Sequence, residues 1–281
     1  MFARVPASSA NLGPGFDSLA VALELYVELS LELADTFSIT SEGEGAGRFD
    51  DERHLGVVVA SRVLGHRNFA MHVNSQIPVA RGLGSSAALA VAAGAAAGAA
   101  RALDLAVEVD GHAENAAASF LGGLVTASWG AEGVIARPLA LDGDWRFVVV
   151  VPDQALATEE ARRVLPAQVP FADAVRNLNA MGLLLAGLAD HRAFVPSAMD
   201  DSLHQPYRSS LLPFAAPLLA RLRESGAAGS CWSGAGSTML GLATLDVAPE
   251  VARGADAFLR ENGVAGTVHV LDADRVGLTT S

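Results

Sequence analysis

Apolar residues recur along the chain first with the period of strands, then with the period of helices. "MFARVPA" at the start and "LELYVELSLELA" (residues 23–34) read as strands, and the second alternates apolar with acidic or polar side chains, as a sheet with one wet face requires. Between them "SSANLGPGFDSLAVAL" (8–23) is rich in Ser, Asn, Gly and Pro and contains a loop. "EGEGAGRFDDER" (42–53) predicts a surface loop, "HLGVVVASRVLG" (54–65) a helix closed by Gly65, and "FAMHVNSQI" (69–77) another strand. "WRFVVVVPD" (145–153) is an apolar strand ending at Pro152. Helical spacing returns in "FADAVRNLNAMGLLLAGLAD" (171–190), "LLPFAAPLLARLRESG" (211–226) and "PEVARGADAFLRENG" (249–263), the last of them followed by "GTVHVLDAD". "SCWSGAGSTMLGLAT" (230–244) is a turn feeding a strand. Strands and helices mix without a regular βαβ alternation, which predicts an α+β fold with a boundary near Pro152, dividing residues 1–152 from 153–281.

Composition narrows the class. With 281 residues, 51% of them hydrophobic, the chain can build one large domain or two ordinary ones. No apolar run free of Gly, Pro and charge reaches membrane-spanning length, and the opening residues lack the apolar core of a signal peptide. One cysteine, Cys231, excludes an internal disulfide framework and a cysteine metal cluster. A cytoplasmic enzyme with no membrane partner is the expectation. The net charge of −12 repels nucleic acid and anionic lipid, so neither is an expected partner. Apart from the histidines, every basic residue is arginine. The missing lysine excludes Walker-A loops, protein-kinase ATP sites and pyridoxal-phosphate enzymes, each of which needs a specific one.

The decisive stretch is "IPVARGLGSSAALAVAAGAAAGAARAL" (77–103), a turn of Gly82, Gly84, Ser85 and Ser86 running into a helix of alanine. Glycines let backbone N–H groups converge, and the helix adds free N–H groups and the positive end of its dipole. Ser85 and Ser86 stand where a hydroxyl caps a helix or binds phosphate and magnesium. Small alanines let that helix pack closely under a nucleotide. An anion site here needs no lysine. The bland alternative is a glycine turn between a strand and a buried helix. A dinucleotide fingerprint is a rival, since "GLGSSA" satisfies G-x-G-x-x-A and "LAVEVD" (105–110) could be a second strand ending in Asp110. Against it, Pro78 breaks strand pairing before the first glycine, and Asp110 lies beyond the usual spacing of about 20 residues.

"IPVARGLGSSAA" resembles the ATP-binding signature of the GHMP kinases, whose glycine-rich loop wraps phosphates without a Walker lysine. "VPASSANLGPGFDSLAVAL" resembles that family's first motif and "WSGAGSTML" its third. With "GHAEN", "TEEARRVLP" and "HQPYR" the similarity points to the homoserine kinases within the family, from about Arg4 to about Leu242. The resemblance implies a ribosomal-S5-like ATP domain, a ferredoxin-like C-terminal domain and a site between them. It implies ATP- and Mg²⁺-dependent phosphorylation of L-homoserine in threonine biosynthesis, by a chain that often pairs as a homodimer. Nucleotide binding falls to Pro78, Val79, Ala80, Arg81, Gly82, Leu83, Gly84, Ser85, Ser86, Ala87 and Ala88, with Gly234 and Gly236 from the third motif. Ser85 or Ser86 reaches magnesium, and Glu108 is the implied carboxylate, with Asp104 and Asp110 as alternatives. Asn11, Asp17, His112, Asn115, Thr158, Arg162 and Arg208 are the implied substrate residues, and Asp17, Asn115 and Ser86 the catalytic ones.

Elementary chemistry agrees with these roles. Two arginines grip a carboxylate bidentately, Asp17 suits an ammonium or hydroxyl, and Asn115 orients a hydroxyl without taking its proton. Each residue also has a plainer use: Asn11 and Asp17 as turn caps, His112 as a hydrogen-bonded structural histidine, Arg162 on a solvated helix face. Three departures from the family pattern stand out. Glu114 replaces an aspartate, "GAGST" lacks a proline after its second glycine, and His54 stands where asparagine is common, which leaves the base preference open.

Overall fold

The computed structural model describes residues 1–281 and contains two antiparallel-rich sheets with nine helices. The first sheet opens with β1 (Phe2–Ala10) paired to the long β2 (Leu19–Leu33), so the loop between them shrinks to residues 11–18. β3 (Ser38–Gly43) runs parallel to β4 (Phe69–Ser75), joined by α1 (Leu55–Leu64), which His54 caps and Gly65 closes in the left-handed conformation. After the glycine-serine turn come α2 (Ser85–Ala96), α3 (Ala102–Asp110) and α4 (Ala113–Leu121). The hairpin β5 (Leu124–Gly130) and β6 (Gly133–Leu139) completes that sheet through β2.

β7 (Trp145–Pro152) starts the second sheet. α5 (Thr158–Arg163), α6 (Phe171–Ala189), α7 (Gln205–Arg208) and α8 (Ala215–Glu224) follow before β8 (Gly229–Trp232) and β9 (Met239–Thr244). α9 (Ala248–Glu261), β10 (Gly266–Leu271) and the short β11 (Thr279–Thr280) end the chain. The second sheet has the order β10–β7–β9–β8, while β11 returns to pair with β1. Residue 152, the expected boundary, falls at the end of β7; β7 belongs wholly to the second sheet, and the last strand belongs to the first. No helix is long and apolar enough to cross a membrane.

β7 explains its own unbroken apolar run. Trp145, Phe147, Val149 and Val151 enter the larger core shared with the first sheet, while Val148 and Val150 enter a second core under α8 and α9. Both faces of the strand are buried, so alternation vanishes from the sequence. The segment "LAVEVD", open to a strand reading, is helix α3; burial of Ala106 and Val107 against α2 and α4 overrides the weak helix propensity of valine.

α2 is the hub of the first core. It packs on α1, α3, α4, β1 and β2, which only small side chains allow, and a helix hydrophobic on every side belongs inside. Ala92 has no solvent exposure, whereas Ala100 past the helix end is exposed. Ala92→Leu should lower stability in urea titrations by about 1–3 kcal/mol through overpacking. Ala100→Leu should stay within about 0.5 kcal/mol of the parent.

Candidate active site

A single cleft of about 530 Å³ runs between the two sheets, and the glycine-serine turn forms one wall. Residues 78–84 link β4 to α2, with Gly82 and Gly84 at φ 75° and 65°, the left-handed region that glycine adopts freely. At Gly82 the need is also spatial: a Cβ there would collide with the Ser233 carbonyl and lie 2.9 Å from Gly236 N. The Ser233 hydroxyl donates to the Gly82 carbonyl at 2.7 Å, and Thr238 N–H donates to the Arg81 carbonyl at 3.2 Å. The Arg81 side chain donates to the carbonyls of Val79 and Pro152, so it braces the loop against the end of β7.

α2 starts at Ser85 without a side-chain cap, and its first intrahelical bond runs from Ala88 N–H to Gly84 C=O at 2.9 Å. The N–H groups of Ser85, Ser86 and Ala87 thus belong to the uncapped first turn, where the helix dipole favours an anion. Pro78 through Ser86 all line the cleft, as does Gly234. Ala87 and Ala88 do not: their side chains are fully buried in the core, because the helix turns them inward. Gly236 is also off the wall, since its position faces the Trp232 ring and Leu156, and Ala235 lines the cleft instead.

The 11–18 loop forms the opposite wall. Asn11, Leu12 and Asp17 hold positive φ of 71°, 51° and 50°, a conformation costly for residues with a Cβ and tolerated where surroundings impose it. Asn11 supplies part of that constraint: its Nδ2 donates to Gly234 O at 2.8 Å and its Oδ1 accepts Asp17 N–H at 3.0 Å. Asp17 receives two hydrogen bonds from Arg162, at 2.7 and 3.0 Å, the fork geometry of a bidentate pair. Arg208 is buried, yet it lines the cleft beside Thr158 and Arg162. Its Nε donates to Ala161 O at 3.2 Å and its NH1 to Gly234 O at 3.0 Å, which leaves NH2 as the unengaged donor. Burial, reinforced by the Arg162 charge, pulls its pKa down to about 10, so it remains cationic at neutral pH. Both guanidinium groups sit over the Phe16 ring, at 5.7 and 5.5 Å.

α3 and α4 bring the remaining polar groups. Asp110, His112, Glu114 and Asn115 line the cleft, and Glu108 does not; it is exposed on another face of α3. Of the carboxylates on α3 considered for magnesium, Asp110 is the one that lines the cleft. Asp110 Oδ2 lies 3.2 Å from His112 Nδ1, a hydrogen bond that raises the histidine pKa. Asn115 meets the loop itself: a Cβ on Gly84 would lie 3.0 Å from its Oδ1. That Oδ1 accepts the Ser8 hydroxyl at 2.9 Å, and Nδ2 donates to Glu114 Oε1 at 3.0 Å. Burial raises the Glu114 pKa.

At the far end, Glu44, Phe49, Arg53 and His54 line the cleft. His54 Nδ1 accepts Gly56 N–H at 3.2 Å, the capping role that asparagine also fills. Phe49 lies in the stretch read as a plain surface loop. No local pattern marked it, because only the pairing of β3 beside β4 carries that loop over the cleft.

Comparisons with known proteins follow the same lines. The model of the GHMP kinases N terminal domain matches residues 53–123, and that of the GHMP kinases C terminal domain matches residues 173–261. Homoserine kinase of Desulfitobacterium hafniense is 35% identical over 98% of this chain and 97% of the relative. Homoserine kinase of Moorella thermoacetica is 38% identical over 95% of each chain. Among solved structures, homoserine kinase from Cytophaga hutchinsonii superposes with a TM-score of 0.85 at 25% identity, covering 99% of this chain and 96% of that one. Mevalonate kinase of L. major has a TM-score of 0.71 at 14% identity, covering 97% and 95%, a likeness of fold alone.

His204, packed behind the cleft with no exposed surface, has its pKa pushed down to about 4 by burial. The unfolded chain takes up that proton near pH 6.5, so the contribution of a neutral His204 to stability is fully present above that pH. It is lost as pH falls toward 4, at up to about 1.4 kcal/mol per pH unit. Urea titrations at pH 7 and pH 5 should therefore show wild type losing more stability than His204→Gln.

Proposed function

The chain belongs to the GHMP kinase family, and we propose that it transfers the γ-phosphoryl group of ATP to the hydroxyl of L-homoserine, giving O-phospho-L-homoserine on the way to threonine. One observation carries the choice of substrate: beside the phosphate loop the cleft holds Arg162 and Arg208 together with Asp17, the charges that a small zwitterion needs. In the free protein Arg162 and Asp17 satisfy each other. A bound amino acid can replace that pair, its carboxylate taken by Arg162 and the NH2 of Arg208, its ammonium by Asp17. A ligand carrying only one of the two charges would leave a partner unpaired.

The loop fits a nucleotide triphosphate. Its glycines leave no room for side chains, and the uncapped N–H groups of α2 point where phosphate oxygens can accept them. Oxygen donors suited to magnesium line the same cleft, namely the hydroxyls of Ser85 and Ser86 and the carboxylate of Asp110. Bound there, the ion would neutralise phosphate charge as the phosphoryl group moves. Asn115, held by Ser8 and Glu114 against Gly84, orients the substrate hydroxyl toward that end of the loop.

None of Asp17, His112 and Glu114 is set up as a strong base. Asp17 is ion-paired, His112 is held toward its cationic form by Asp110, and the Glu114 Oε1 is committed to Asn115. The loose transition state of phosphoryl transfer makes positioning and charge neutralisation sufficient.

A coupled ADP-release assay with ATP and Mg²⁺ tests the reading, comparing L-homoserine with mevalonate, galactose, shikimate and L-threonine. Rapid release with homoserine alone is expected; release with another alcohol, or nucleotide binding without turnover, would overturn it. Asp17→Asn and Glu114→Gln should each keep kcat within about tenfold of wild type, while the Asp17 variant raises the homoserine KM. A drop near 10⁴-fold in kcat, the upper range for general-base work, would assign a base. Asp110→Asn should raise the magnesium requirement at least about tenfold, with Glu108→Gln unchanged.

A further inference from the structure

We propose that His204 is a positioning residue for substrate selection: it locks the Arg208 guanidinium to the 11–18 loop and so sets carboxylate recognition without touching the substrate. The inference rests on the homoserine reading of the cleft. His204 precedes α7, and Arg208 lies four residues on, so the two side chains share a face. His204 Nε2 lies 2.9 Å from the Gly13 carbonyl. A carbonyl only accepts, so Nε2 carries the proton and Nδ1 presents its lone pair. Arg208 NH1 donates to that lone pair at 3.0 Å.

One neutral imidazole thus joins the arginine to the loop that carries Asn11 and Asp17. Phe16 stacks on the imidazole with ring centroids 5.0 Å apart, completing the clamp from the loop side. An imidazolium could not accept from Arg208, and burial keeps His204 neutral. The Asp201 carboxylate, 3.3 Å from Nε2, is buried too and accepts the backbone N–H groups of Leu203 and Gln205. Arginine has extensive rotamer freedom, and each rotamer frozen before binding spares that loss when ligand arrives. With Nε on Ala161 and NH1 shared between Gly234 and His204, the NH2 left for a carboxylate is held in a fixed direction.

The test measures kcat and KM for L-homoserine and for 3-aminopropan-1-ol, which has the same amine and hydroxyl without the carboxylate. His204→Leu removes both contacts and should raise the homoserine KM about tenfold or more, with kcat and the ATP KM little changed. Its preference for homoserine over the carboxylate-free analogue should fall by the same factor. His204→Gln, whose amide offers an acceptor and a donor, should restore most of that preference. Added to Arg208→Ala, His204→Leu should have little further effect, as coupled residues behave. A loss of kcat matching the loss of folded protein, with KM and preference unchanged, would show a merely structural histidine and overturn the proposal. If His204→Leu does not fold, His204→Gln and His204→Asn decide together: unchanged preference in the first with a collapsed one in the second supports the clamp, and equal preference in both overturns it. Unchanged preference in Arg208→Ala would instead overturn the homoserine reading beneath it.

Discussion

Where the Gly82 carbonyl accepts the Ser233 hydroxyl, loops from the two sheets meet backbone against backbone. No Cβ fits at Gly82, and the glycine-serine wall of the cleft keeps its shape because the turn around Ser233 to Gly236 stands behind it. The same turn reaches the opposite wall, since Gly234 O accepts both Asn11 Nδ2 and Arg208 NH1. Both walls of the cleft are therefore referenced to one short piece of backbone. Precision of that kind matters for a reaction in which alignment does most of the work.

The contact is possible because α2 is made of small residues. A helix with bulky side chains could not sit among three helices and two strands while starting directly under the loop. Alanine serves twice here: its helix propensity supports the element, and its size brings the uncapped N-terminus to the cleft. The uncapped N-terminus of α2 supplies positive potential at the cleft through backbone N–H groups and the helix dipole, in a chain without a lysine to do so.

An acidic chain nevertheless buries a cation in the wall of the cleft. Arg208 is a buried cation, and carbonyls of Ala161 and Gly234 with the His204 ring replace its water. Burial lowers its pKa without discharging it. A comparable displacement would bring a lysine's pKa near physiological pH, whereas arginine stays fully cationic there. Asp17 and Arg162 pair with each other, which avoids leaving either charge unpaired in a partly enclosed site.

Much of this was legible in the residues alone. The glycines of the loop and the alanine helix announce themselves because local backbone freedom and size are properties of the residue, whereas Asn11 and the two arginines are picked out only through the resemblance of their motifs. What the chain alone left open depended on which way elements face. Glu108 and Asp110 sit two positions apart on one helix, about 200° around its axis, and only the packing of Ala106 and Val107 against the core decides which carboxylate enters the cleft. The same holds for Ala87 and Ala88, turned inward, for β7, claimed by the second sheet, and for Phe49, carried over the cleft by the β3–β4 pair. His204 is the sharpest case. Its tautomer and its hold on Arg208 arise from contacts with Gly13, 191 residues away, and contacts between distant residues exist only once the chain has folded.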